Sequence, residues 1–143
     1  MRRWIVGLLI GFIVIVVEAK EMKIEINIGK SGQKITATLA DNPAAQALYQ
    51  QLPLKISLRA YAGAERITPS LAKALPTSQS PAGYAGKRGD LTYYAPWGNL
   101  AIFVENSHVG YATGLVYLGK VDQDVSILSP ITEETEVVIG KVD

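Results

Sequence analysis

The sequence contains no cysteine and a single histidine, His108. The first absence excludes a disulfide scaffold, a zinc-thiolate site and a cysteine nucleophile, and the second leaves little from which to build an imidazole metal cage. Charge of one sign is also lacking: 14 Lys plus Arg stand against 13 Asp plus Glu, a formal net charge of +1. Such a chain has no broad basic field to attract a phosphate backbone, so nucleic acid is not among its expected partners. Apolar residues are plentiful, at 48% with 13 glycines, which suits a packed, turn-rich globular domain rather than a disordered one. The length of 143 residues accommodates one domain of ordinary size.

Arg2 and Arg3 precede a run from Trp4 to Val17 in which every residue is apolar or glycine, and Glu18, Lys20, Glu21 and Lys23 end it. A basic head and a short apolar body have the shape of an export signal. As a helix the run would reach about 21 Å, short of a hydrocarbon core of about 30 Å. Val17 and Ala19 fit the small-residue positions before a cleavage point, so residues 1–19 are expected to be a signal peptide. The mature domain, 20–143, would then begin at Lys20, be formally neutral, and reside in the periplasm or outside the cell. The alternative is an uncleaved signal-anchor that holds the protein to a membrane through residues 4–17, because Glu18 is an unusual neighbour for a cleavage site. With no cysteine at the boundary, a lipoprotein route is excluded.

Beyond the leader the chain reads as mostly strands. Met22 to Ile28 alternates, with Met22, Ile24, Ile26 and Ile28 on one face. Gly29 to Gly32 makes a turn, and Gln33 to Leu39 alternates again, so the two form a hairpin. Asp41 and Asn42 offer caps, Pro43 suits a first helical position, and Ala44, Ala45, Leu48 and Leu52 recur at helical spacing. A third strand follows, in which Leu54, Ile56 and Leu58 oppose Lys55, Ser57 and Arg59. From Pro69 to Gly89 the chain is irregular around an expected helical turn at Leu71 to Leu75. Leu91 to Tyr94 and Asn99 to Val104 form a hairpin with the aromatic tip Ala95-Pro96-Trp97-Gly98. Leu115 to Leu118 and Glu136 to Ile139 are further strands, with a helical turn expected within Val121 to Leu128. Seven or eight strands with two or three short helices are buried economically by a closed barrel, a sandwich being the alternative.

The run Gly89-Asp90-Leu91-Thr92-Tyr93-Tyr94-Ala95-Pro96-Trp97-Gly98-Asn99-Leu100-Ala101-Ile102-Phe103 resembles the signature of a small bacterial family of cyclophilin-like proteins. Tyr61-Ala62-Gly63-Ala64-Glu65 and Gly114-Leu115-Val116-Tyr117-Leu118-Gly119 resemble its flanking motifs in the same order, so that the resemblance spans roughly residues 22 to 140. It implies a closed cyclophilin-like β-barrel of about eight strands. It implies less about activity, because a fold does not carry a function with it.

True cyclophilins are peptidyl-prolyl isomerases. Rotation about an X-Pro bond faces a barrier of about 18–20 kcal/mol, so a catalyst must bind the twisted imide better than the planar one. That takes an apolar pocket for the ring and a guanidinium for the localising nitrogen lone pair. True cyclophilins present the arginine in a Phe-His-Arg run, with a Phe-Phe pair further on, and neither run occurs here. Beyond the leader the arginines are Arg59, Arg66 and Arg88. Arg59, near Tyr61 and Glu65, is the candidate catalytic cation; its plainer reading is a solvated strand residue or salt-bridge partner.

Trp97, with Tyr94 and Phe103, either lines a ligand groove or caps a barrel end. The candidate ligand-binding residues are therefore Tyr61, Glu65, Tyr94, Trp97 and Phe103. Ser107 and His108 with a distant aspartate make a weak case for a nucleophilic triad. Glu133, Glu134 and Glu136 lack the Asp-rich, glycine-turned loop of a calcium site, so no metal and no cofactor are expected. Three functional readings result. The first is an exported domain that binds a small ligand or an extended peptide at an aromatic cleft. The second is a divergent prolyl isomerase acting on envelope proteins, and the third a structural envelope component.

Overall fold

A computed structural model describes residues 7–14 and 21–143. The expected leader lies in part outside the described residues, at 1–6 and 15–20. Residues 7–14 carry no regular structure and expose Leu8, Leu9, Phe12 and Ile13. Among the described residues no helix is long and apolar enough to cross a membrane.

The alternation from Lys23 onward forms strands β1 (Lys23–Ile28) and β2 (Gln33–Leu39), joined through a short 3-10 turn at Gly29–Ser31. Their apolar rows face the same way, Ile26 pairing with Ile35 and Ile24 with Ala37. Helix α1 (Pro43–Gln50) starts where the Asn42 side chain accepts a hydrogen bond from the Ala45 N–H at 2.8 Å. It contributes Ala44, Ala45 and Leu48 to the core. The remaining strands are β3 (Leu54–Tyr61), β4 (Glu65–Ser70), β5 (Gly83–Ala85), β6 (Asp90–Tyr94), β7 (Asn99–Phe103), β8 (Tyr111–Thr113), β9 (Leu115–Val121) and β10 (Thr135–Lys141).

Eight of these strands close into an antiparallel barrel in the order β1-β10-β3-β4-β7-β6-β9-β2, and β5 pairs with β8 in a separate ribbon. A closed sheet leaves no free edge and lets every apolar row meet the others inside. The interior is filled by Ile24, Ile26, Ile35, Leu58, Leu91, Leu100, Ile102, Leu118 and Ile139 among others. A second cluster of Ala64, Ile67, Ala101, Phe103 and Leu115 packs with Tyr84 of β5 and Ala112 of β8. Strand β7 thus supplies Leu100 and Ile102 to one cluster and Ala101 and Phe103 to the other. That explains why it reads Leu-Ala-Ile-Phe rather than alternating with polar residues. The β5–β8 ribbon overlies the barrel's outer face through Tyr84 and Ala112.

The closed eight-stranded barrel agrees with the expected architecture, and the sandwich is set aside. Three local differences have physical causes. No helical turn forms at Leu71–Leu75; Leu75 is buried and its N–H donates to the Tyr93 hydroxyl at 3.3 Å. A single turn carries an unfavourable nucleation cost, which these fixed contacts outweigh. The turn expected after Val121 is a 3-10 segment at Val125–Leu128, held by the Asp124 side chain accepting from the Ser126 N–H. Strand β4 reads polar in sequence. Its Arg66 is nonetheless buried, with Nε, Nη1 and Nη2 donating to the carbonyls of Leu128, Glu65 and Ser129. Satisfying its donors on carbonyls is what lets a guanidinium occupy a strand interior.

Candidate functional site

The hairpin β6–β7 turns through Ala95-Pro96-Trp97-Gly98, closed by Gly98 N–H to Tyr94 O at 2.8 Å. Gly98 takes φ +65°, a conformation costly for side chains with a Cβ, and Pro96 fixes its own φ, so the turn presents the Trp97 indole in one place. The indole is 46% exposed. Its ring centroid lies 5.4 Å from Tyr61 and 5.5 Å from Tyr94, with interplanar angles of 75° and 78°. Trp97 therefore stands nearly perpendicular to both tyrosines, an edge-to-face arrangement favoured by the ring quadrupoles, and the three side chains form walls.

These walls rim a pocket of about 160 Å3 on the barrel's outer face. Ile67, Ala101, Phe103 and Leu115 give it an apolar floor, and Glu65 and Asn99 enter from β4 and β7. Ser107, Val109 and Ala112 complete the side nearest the β5–β8 ribbon. A Cβ placed at Gly86, just beyond β5, would overlap the Phe103 ring, so only glycine allows that loop to lie this close to the floor. All five residues singled out as ligand-binding, Tyr61, Glu65, Tyr94, Trp97 and Phe103, line this one pocket. Sequence reading missed Asn99, at the base of the aromatic hairpin itself, and the side formed by Ser107, Val109 and Ala112, which come from segments further along the chain.

Two polar groups of the pocket have unmet capacity. The Glu65 carboxylate meets no hydrogen-bond donor or cation among the described residues, and burial raises its pKa above the ordinary 4.5. Asn99 is 4% exposed, and its Nδ2 donates to Thr68 O at 3.0 Å. Its Oδ1 is buried without a partner among the described residues, an arrangement that costs free energy unless something compensates it.

The candidate cation Arg59 is not in this lining. It borders a neighbouring depression of about 210 Å3 that shares Ile67, Trp97 and Asn99 with the pocket. Its guanidinium carbon lies 5.9 Å from the Tyr61 ring centroid, and the side chain is exposed. Arg66 is committed to carbonyls as described, and Arg88 to Val104 O and Asp124. His108 pairs with Glu105 at 3.2 Å, while Ser107 Oγ accepts from the Val109 N–H. Glu133 and Glu134, before β10, and Glu136, within it, are exposed.

A closed antiparallel barrel with an aromatic pocket on its outer wall defines the architectural class. Within it the match to a specific family is direct: the model of the cyclophilin-like family covers residues 26–140, and the chain belongs to that family. The fold is also similar to the solution structure of a hypothetical protein from Archaeoglobus fulgidus. The two share a TM-score of 0.63 and 16% identity over 85% of this chain and 95% of that one. At that identity the likeness concerns the fold. No curated protein matches the sequence.

Proposed function

We propose that this cyclophilin-like domain is a binding module that takes a small ligand or an extended peptide in the aromatic pocket. The observation that carries the reading is the convergence of Tyr61, Tyr94 and Trp97 over an apolar floor that also holds an unpartnered carboxylate. Apolar concavities with a few uncommitted polar groups are how proteins hold small molecules. A half-exposed indole at the mouth supports the reading further, since a residue serving only as a barrel plug would be buried.

Prolyl isomerisation is the second reading, and it is the weaker one. The chemistry calls for a guanidinium beside the ring-binding pocket, whereas the charged side chain in the lining is Glu65. A protease-coupled isomerisation assay is expected to give a rate absent or far below that of an authentic cyclophilin. The third reading, a structural envelope component, has no need of an open pocket.

Export completes the proposal, with Lys20 as the first mature residue. N-terminal sequencing checks it, and a full-length chain that resists carbonate washing of membranes would favour the signal-anchor. The binding reading is tested by thermal-shift screening of fragments and short peptides on the full chain and on Trp97→Ala. A ligand that binds the native state raises its melting temperature by mass action, so hits are expected to stabilise the wild type and to lose that effect in the variant. Hits that stabilise both proteins equally would place binding elsewhere.

A further inference from the structure

The occupant's chemistry can be read from what the pocket offers. Its charged lining group is Glu65, half-buried and with no counterion among the described residues. A carboxylate removed from water in this way is costly unless a cation meets it. Asn99 lines the same pocket; its Nδ2 donates to Thr68 O, and its Oδ1, buried rather than open to the pocket, has no partner among the described residues. In the same lining Trp97 stands nearly perpendicular to both Tyr61 and Tyr94, and aromatic faces attract cations through their quadrupoles. Tyr61 already has one cation near its ring, since the Arg59 guanidinium carbon, outside this lining, lies 5.9 Å from its centroid. A cavity of about 160 Å3 with a floor of Ile67, Ala101 and Phe103 has room for a compact head and a short apolar stem.

We propose that the pocket binds a primary organic ammonium group, its head against the Glu65 carboxylate and the aromatic walls, its alkyl stem along Ile67, Ala101 and Phe103. This rests on the binding reading above and narrows it to one ligand class. The group can arrive on a free alkylamine or on a lysine side chain of an extended peptide, and both present the same ammonium and stem.

Calorimetric titration of the full chain with n-butylammonium, n-butanol and butyrate tests the proposal, with a blocked Gly-Lys-Gly peptide as a further arm. Glu65→Gln keeps the shape of the side chain and removes its charge, and its far-ultraviolet spectrum and melting curve report whether it folds. The expected result is binding of n-butylammonium that is at least tenfold tighter than n-butanol and weakened at least tenfold in folded Glu65→Gln. Tighter binding of the lysine peptide than of the free amine identifies a protein ligand, and the reverse order a free amine; both support the ammonium class. Equal affinity for n-butanol, or unchanged amine binding in Glu65→Gln, overturns it. If n-butanol or butyrate binds in a Trp97-dependent manner and the amines do not, the ammonium class falls while the binding reading stands. If neither these compounds nor the screened fragments bind, both fall.

Discussion

Replacing Trp97 by alanine separates a ligand-binding wall from a structural plug. A fully packed tryptophan buries about 150–250 Å2. With 46% of Trp97 exposed, roughly 100 Å2 is withdrawn from water, worth about 2.5 kcal/mol at about 25 cal/mol per Å2. That figure is an upper bound, because the unfolded chain already hides part of this surface and alanine retains part of the burial. The edge-to-face pairs with Tyr61 and Tyr94 restore some of the difference, each at the low end of about 0.5–1.5 kcal/mol because the rim is open to solvent. The expected cost is about 2 kcal/mol, below the roughly 3–5 kcal/mol of emptying a fully buried aromatic site. Urea denaturation measures it, with an unchanged m-value as the sign that the folded and unfolded states are otherwise the same. A loss in the 3–5 kcal/mol range would refute the reasoning and make Trp97 a plug.

Three other substitutions probe the same site. Burial raises the folded pKa of Glu65 above its unfolded value, so the stability linked to its bound proton is complete below about pH 4 and lost as pH rises through the folded pKa. Glu65→Gln is therefore expected to have a higher urea midpoint than wild type at pH 7, with the gap closing near pH 4; a lower midpoint at pH 7 would mean the carboxylate has a stabilising partner. Gly86→Ala sets a methyl group into the Phe103 ring, and such overpacking is expected to cost about 1–3 kcal/mol and to abolish ligand-induced thermal shifts. Arg59→Ala removes an exposed side chain outside the pocket, so stability should change by less than about 0.5 kcal/mol and the affinity of any pocket ligand should persist.

The barrel was legible wherever one face of a strand is buried and the other is wet, as in Met22–Ile28 and Gln33–Leu39, because a two-residue period then records the core directly. Strand β4 escaped notice because its inward positions include Arg66, which is stabilised by carbonyls of Leu128 and Ser129 some sixty residues away. Its Pro69 lies at a register shift against β7 between Ile67 and Ser70, where a missing N–H is tolerated. Short strands β5 and β8 carry no periodic signal at all. They matter to the site nonetheless, since Tyr84 and Ala112 cover the outer cluster. The continuous apolar run Leu100 to Val104, read only as a hairpin strand, carries the trace of a second buried face. The aromatic wall residues were legible as a turn that fixes an indole. The unpartnered acceptor on Asn99 was not, because it depends on where Thr68 falls across the strand pair.

The central claim, that the outer-face pocket is where ligand binds, is tested most directly by mapping amide and indole chemical-shift changes of the full chain during titration with n-butylammonium. The account predicts saturable shifts confined to Tyr61, Glu65, Tyr94, Trp97, Asn99 and Phe103, absent in Trp97→Ala. Shifts centred instead on the separate depression beside Asn42, Tyr84 and Tyr117, or shifts that survive unchanged in Trp97→Ala, would contradict it.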